Sequence, residues 1–328
     1  MSATSSGVGD LVLVADVHVG ADDPELDAFR AFLAARAGDT AVLALLGDIF
    51  ALWVGDPKFT LAHHRAVLDA CAALRAQGVR VLFVEGNREF LARRWRGVAF
   101  DDVAEGIAVE SWAGRRWCLA HGDLLDRGDR RGRLFRSVVR SRPFLGAFRR
   151  LPARTGLRVG DSIERALRHR NLAHKTAIPA GHFERYAAWL ARRGFDGGVI
   201  GHVHVEMDLR LAGPDGRERS LYVLPDWRST RRHLRIPREG PPRFESFGPP
   251  AAPRAAVIGV AGRGARVELT LDRAAGLAPG DRVELHSGHG PQRRGGRVVS
   301  AAGRRVVLDL AAGPPVQVGD RVVTEEDH

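Results

Sequence analysis

Six short apolar runs, rich in branched side chains, each stop at a polar residue of a kind that binds metal or phosphate. Leu11 to Ala15 stops at Asp16, and Ala41 to Leu46 stops at Gly47-Asp48. Val79 to Val84 is followed by Gly86-Asn87, and Arg116 to Ala120 by His121-Gly122-Asp123. Gly197 to Ile200 runs into Gly201-His202, and Ser220 to Leu224 precedes Asp226. Continuous apolar runs of this length suit strands covered on both faces. Apolar residues three and four apart fill Glu25 to Ala37 and Leu61 to Ala76, the spacing of amphipathic helices. Strands alternating with helices predict an α/β layered core.

Asp16, His18, Asp48, Asn87, His121, His202 and His204 all fall at or just past the C-terminal ends of these strands. Open α/β sheets gather their ligands at that edge. Asp16 and His18 are two residues apart, on one face of an extended segment, so both can reach one ion. His202 and His204 repeat the arrangement. Gly47, Gly86 and Gly201 permit tight turns and close approach. Carboxylate, imidazole and amide suit a borderline divalent ion such as Mn²⁺ or Fe²⁺ better than Ca²⁺. Seven donors are too many for one closed site and suit two ions sharing a carboxylate, a device that clamps phosphoryl oxygens. One such histidine alone is more often structural than catalytic; five ordered motifs are poorly explained by chance.

Those motifs, DVH, GD, GNRE, HGD and GHVH in order, resemble the calcineurin-like metallophosphoesterase superfamily. Within it the chain is most similar to the UDP-2,3-diacylglucosamine pyrophosphohydrolase family of the lipid A pathway. That family's GDIFDLW and GNRDFL stand here as Gly47-Asp48-Ile49-Phe50-Ala51-Leu52-Trp53 and Gly86-Asn87-Arg88-Glu89-Phe90-Leu91. The resemblance covers roughly residues 10–230 and implies a four-layer αββα sandwich with two Mn²⁺ ions. One ion would be held by Asp16, His18, Asp48 and His204, the other by Asp48, Asn87, His121 and His202, with Asp48 bridging. It implies hydrolysis at the phosphorus nearer the uridine, giving UMP and 2,3-diacylglucosamine 1-phosphate. Asp48, Asn87 and Arg88 would act in catalysis, and Arg88, Asp129, Lys175 and Arg142 would touch substrate. Ala51 stands where the family has Asp, and Gly132 where it often has Tyr.

Arg88 carries a chemical argument of its own. Most superfamily members place His after Gly-Asn, where imidazole can protonate an alkoxide leaving group. Guanidinium keeps its proton at neutral pH. Arg88 therefore favours a leaving group that needs no proton, such as a phosphate monoester, and would neutralise charge on the phosphoryl oxygens. Simple pairing with a nearby carboxylate is the structural alternative.

The remaining chain divides in three. Residues 127–170 hold fourteen arginines interleaved with apolar residues, which reads as a basic helical insertion at about 127–176. It is either a solvated helical subdomain or a lid meeting anionic lipid. Its only aromatics, Phe135, Phe144 and Phe148, are spaced as helix core, which speaks against nucleic acid. Six prolines from Pro237 to Pro253 suggest a linker at 237–255 after a first domain at 1–236. Short Val-rich segments follow, with Pro279-Gly280-Asp281-Arg282-Val283 echoed by Val318-Gly319-Asp320-Arg321-Val322, predicting a small all-β barrel at 256–328. No catalytic set is legible in that region, and its partner is not readable.

The net charge of +11 comes almost wholly from arginine, since Lys58 and Lys175 are the only lysines. GC-rich coding accounts for this without any function; a surface for phosphates or anionic lipid is the alternative. At 45% hydrophobic and 27% charged residues, wholesale disorder is excluded. No stretch approaches the ~20 apolar residues of a spanning helix. Two cysteines and an N-terminus without basic or apolar regions point to the cytoplasm, with peripheral inner-membrane association expected from the lipid substrate. Two other readings stay open: a phosphodiesterase or nuclease of the same superfamily, and a non-catalytic scaffold.

Overall fold

The computed structural model describes residues 9–21, 23, 25–123, 137–159, 162 and 180–248. Beyond these it describes 255–261, 266–271, 279, 282–286, 293–302, 305–311, 316 and 321–324. The chain falls into two compact units, 1–164 with 177–247, and 165–176 with 248–328.

The first unit is mixed α/β and contains two large sheets. In one, β1 (Asp10–Val14), β2 (Thr40–Leu45), β4 (Arg80–Val84) and β6 (Asp102–Ala104) run parallel. β12 (Arg232–Ile236) and β13 (Arg243–Ser246) extend it antiparallel, giving the order β13-β12-β1-β2-β4-β6. The other combines β7 (Ile107–Trp112), β8 (Arg115–Ala120), β9 (Gly197–Ile200), β10 (Met207–Ala212) and β11 (Glu218–Val223), in the order β10-β11-β9-β8-β7. A short pair, β3 (Trp53–Val54) and β5 (Glu89–Phe90), lies outside both.

Burial explains the composition of the strands. Val12, Val14, Leu43, Leu45 and Phe83 pack beneath helices α1 (Glu25–Ala34) and α2 (Ala62–Ala76) through Phe29, Phe32, Val67 and Leu68. The opposite residues of the same strands, Leu11, Leu13, Val42 and Leu82, meet Trp112, Trp117, Leu119 and Tyr222 of the second sheet. Covered on both sides, β1 and β2 are apolar at nearly every position. The outer face of the second sheet is covered by Phe183 and Leu190 of helix α4 (Ala180–Arg192). Strands with an exposed face read differently: β10 alternates half-buried and exposed residues, as antiparallel strands with one wet side do.

All six apolar runs form strands within two residues of their expected limits. Strands β3, β5, β6, β7, β10, β12 and β13 are additional. β13 corrects the expectation of a linker across 237–255, because Arg243–Ser246 pairs with β12 and Arg235 binds Glu245 at 2.8 Å. Within the basic insertion, 137–139, α3 (Arg142–Phe148) and 153–159 are helical. Residues 127–136, 160–161 and 163–176 of it, including Asp129, Gly132 and Lys175, lie outside the described residues.

In the second unit β14 (Ala255–Ala261), β15 (Arg266–Leu271), β16 (Arg282–His286), β17 (Arg293–Ala302), β18 (Arg305–Leu310) and β19 (Arg321–Thr324) hydrogen-bond in a closed order, β14-β15-β18-β17-β16-β19. Val257, Leu269, Val283, Leu285, Leu308 and Val322 fill its interior. The strands that begin at the arginines of the two Gly-Asp-Arg-Val repeats, β16 and β19, pair with each other.

Candidate metal centre

The turns after β1, β2, β4, β8 and β9 bring the seven expected donors to one place. Asp16 is the hub. Its carboxylate accepts the His202 backbone N–H at 2.7 Å and lies 3.1 Å from His204 Nε2 and 3.7 Å from His18 Nε2. Asp48 sits beside it, 4.0 Å from His18 Nδ1 and 3.6 Å from His121 Nε2. Both carboxylates are fully buried. Two groups of donor atoms each fall within 4.8 Å of one another: Asp16, His18 and His204, and Asp16, Asp48 and His121. Asp16 therefore belongs to both groups, a role the resemblance assigned to Asp48 alone, while Asp48 reaches toward both histidine sets.

Local backbone geometry aims these side chains. Asp16, His18, Asp48, His202 and His204 all have φ between 51° and 69°, a region costly to residues other than glycine. Such strain persists where surrounding structure holds it, and it clusters at functional sites. Here the holding bonds are visible: Asp16 N–H donates to Gly47 O at 3.1 Å and His18 N–H to Asp48 O at 2.9 Å. Gly86 is required by close approach, because a Cβ there would stand 2.3 Å from Asp48 Oδ1.

The donor atoms fit a cation. Asn87 Oδ1 faces acceptors, with His121 Nε2 at 3.2 Å; turned over, its nitrogen would donate to Asp48 Oδ2 at 3.0 Å. His202 Nδ1 stands 3.2 Å from His121 Nε2. The His121 Nδ1–H is committed to Leu46 O at 2.9 Å, so Nε2 presents its lone pair to the cluster. Burial works against a charged His121, but Asp48, Asp16 and Asp123 outweigh it and raise its pKa. Lone pairs and carboxylates converging in this way are mutually repulsive until a proton or a metal ion joins them. A divalent ion satisfies this donor set better than protons, since two histidines and two carboxylates can then share it.

Arg88 lies against Asp48, its Nε 3.4 Å from Oδ2, and its Nη1 donates to Ala51 O at 3.3 Å. Arg142 occupies the first turn of α3, and Asp129 and Lys175 fall outside the described residues. Next to Ala51 opens a largely apolar pocket lined by Leu52, Val54, Phe59, Phe148 and Leu157, with His63 at its wall.

Two supporting residues were not legible as such in the sequence. Glu89 Oε2 accepts the N–H groups of Asp48 and Gly86 at 2.9 Å each, and Oε1 those of Ile49 at 2.6 Å and Phe50 at 3.1 Å. Burial and the Asp48 charge raise the pKa of this carboxyl, while the N–H groups of Gly86 and Phe50 favour its anion. Its signal was its place in the Gly-Asn-Arg-Glu motif, which did not show what the carboxylate binds. The second, Arg140, reaches the same turn from the insertion, and nothing in sequence marks it among fourteen arginines.

Motif order, a mixed α/β fold and this donor cluster at the strand ends define a metallophosphoesterase-type hydrolase. No family model matches the chain. Among curated proteins, the UDP-2,3-diacylglucosamine hydrolase of Edwardsiella ictaluri is 30% identical over 235 residues, 70% of this chain and 89% of that protein. The protein of the same name from Aromatoleum aromaticum is 30% identical over 249 residues, 72% of this chain and 97% of its own length. The chain belongs to the UDP-2,3-diacylglucosamine hydrolase family. Among solved structures, Zn²⁺-bound Vps29 from Entamoeba histolytica aligns at 10% identity over 92% of this chain and 98% of its own, with a TM-score of 0.33.

Proposed function

We propose that the chain hydrolyses the pyrophosphate of UDP-2,3-diacylglucosamine to UMP and 2,3-diacylglucosamine 1-phosphate in the lipid A pathway. The observation that carries this reading is 30% identity over 70% of the chain to a curated UDP-2,3-diacylglucosamine hydrolase, with Arg88 beside the donor cluster, 3.4 Å from Asp48. Water adds to the phosphorus nearer the uridine, the bridging P–O bond breaks, and the sugar phosphate leaves. A phosphate monoester needs no proton on departure, which suits a guanidinium at this position.

Asp16, His18, Asp48 and His204 would hold one divalent ion, and Asp48, Asn87, His121 and His202 the other; Mn²⁺ or Fe²⁺ suits the set. Such ions lower the pKa of water and stabilise developing phosphoryl charge. His121 is held in one tautomer by Leu46 O, which keeps Nε2 available as a ligand. Arg88 bears on the phosphoryl oxygens, and Asp129, Lys175 and Arg142 on the rest of the substrate. The apolar pocket between Phe59 and Phe148 suits an acyl chain. The arginines of the insertion suit an anionic bilayer at the cytoplasmic face of the inner membrane. Among the described residues no helix is long and apolar enough to cross a membrane. The layering of helices on two packed sheets supports the four-layer αββα arrangement over 1–236, and the closed strand order supports a small barrel over 256–328, joined through part of 237–255.

The test is product analysis by mass spectrometry after incubation with Mn²⁺ and UDP-2,3-diacylglucosamine in ¹⁸O-labelled water. Labelled UMP from the native protein, and none from Asp48→Ala, is the expected result. Hydrolysis of a generic phosphodiester without any UMP would sink the lipid substrate while keeping the metal centre.

A further inference from the structure

The described part of the basic insertion touches the donor-bearing turn through one guanidinium. Arg140 Nη1 donates to Glu85 Oε2 at 2.6 Å, and Nη2 donates to Gly86 O at 2.9 Å and Glu89 O at 3.1 Å. Nη1 also reaches Glu105 O at 3.3 Å, and the group lies over the Phe90 ring, 5.6 Å from its centroid. The two carbonyls are those flanking Asn87-Arg88, so one fork spans the ends of that dipeptide. Glu85 is buried, and its other oxygen accepts the Ala92 N–H at 2.7 Å. The turn is thus gripped twice: from within by the Glu89 carboxylate on the Asp48 loop, and from outside by a residue about fifty positions later.

We infer that Arg140 is a positioning residue that sets the Asn87-Arg88 turn and couples seating of the insertion to reactivity. A planar guanidinium can donate to a carboxylate and two carbonyls at once in fixed directions; an ammonium on a flexible stem cannot. If the insertion lifts, both carbonyls lose their donor and the Asn87 amide and Arg88 side chain lose their alignment on Asp48. Displacements of about 1 Å at a reacting centre cost on the order of a hundredfold in rate. The second grip on the insertion lies elsewhere: Lys58 Nζ donates to Arg149 O at 2.5 Å and Leu151 O at 2.9 Å. Loss of Arg140 therefore leaves α3 docked while freeing the turn. The inference rests on the proposed function for its substrate and on geometry alone for the role of Arg140.

The experiment compares Arg140→Gln, Arg140→Lys and Arg80→Gln in the full chain. Arg80 pairs with Glu110 across two strands away from the donors and controls for the loss of any part-buried ion pair. Hydrolysis of UDP-2,3-diacylglucosamine and of bis(4-nitrophenyl) phosphate is followed, together with Mn²⁺ titration and thermal melting. Arg140→Gln is expected to lower kcat at least tenfold with KM within threefold and to weaken Mn²⁺ binding, while Arg80→Gln keeps kcat within twofold. Arg140→Lys should fall between, and it decides the matter if the Gln variant does not fold. Full kcat in Arg140→Lys, or an equal loss in Arg80→Gln, would overturn the inference. If the native protein ignores the lipid nucleotide but cleaves the diester, the substrate assignment fails and the Arg140 series is read on the diester.

Discussion

One buried carboxylate outside the donor set, Glu89, holds the Asp48 and Gly86 turns through four backbone N–H groups. Glu89 takes two N–H bonds on each oxygen, so an added proton would have no acceptor to face. Replacing it by Gln puts an NH₂ group against two N–H donors and leaves them unpaired, at about 1–3 kcal/mol for each buried donor. Glu89→Gln is expected to lower the melting temperature and to weaken Mn²⁺ binding at least tenfold, the usual scale for groups that orient metal ligands. Calorimetric titration with Mn²⁺ checks this; unchanged affinity would mean the Asp48 loop keeps its left-handed φ of 51° without the clasp. The same scale shows why motif spacing was informative. Asp16 and His18 share a donor group with His204, while His202 faces His121, and all four have a left-handed φ in place of the extended backbone that their spacing suggested.

At the level of elements, the described part of the insertion packs on the 3₁₀ turn Pro57–Phe59. Phe148 of α3 meets Phe59 edge-on with centroids 5.0 Å apart, and Asp56 pairs with Arg149 at 3.4 Å. Gly156 lies so close that a Cβ would stand 2.2 Å from Phe59 Cε1. Phe59 therefore forms both the seat of α3 and a wall of the apolar pocket. Phe59→Ala should raise KM for the diacylated substrate about tenfold and leave turnover of a short phosphodiester nearly unchanged. Parallel steady-state assays on the two substrates check this, and an equal loss on both would assign Phe59 to the fold alone. Part of the insertion's charge is already paired: Arg140 with Glu85, and Arg149 with Asp56.

Across the whole molecule, stability is tied to pH through buried histidines far from one another. Burial lowers His64 from 6.5 to about 3, with His63 adding repulsion, and its ring is neutral between the Leu61 N–H and Leu52 O. Burial likewise lowers His233 to about 4, with Arg36 beside it. Both folded values lie below the unfolded one, so between roughly pH 6.5 and 4 the unfolded chain binds more protons than the native chain. Their contribution is complete above pH 6.5 and is lost as the pH falls through that window. Melting of chelator-treated protein should show a falling midpoint from pH 7 to pH 4.5, with a shallower slope in His64→Asn. A slope identical in the variant would remove His64 from the account.

The residue order by itself determined the mixed α/β core and the family, and it marked the seven polar residues that the fold brings together. Runs buried on both faces cannot hide their pattern, and metal-binding side chains at strand ends are rare enough to stand out. β7 and β10 escaped because a strand with one wet face alternates polar and apolar residues. β13 escaped because its prolines lie beside it, while its strand is defined by pairing with β12 and by Glu245 meeting Arg235. Only the tertiary structure decided that Asp16 joins both donor groups, that Glu89 closes four amides, and that Arg140 grips a turn about fifty residues away. Those facts depend on distances between segments remote in the chain, and such distances are set by how sheets and helices pack rather than by any local preference.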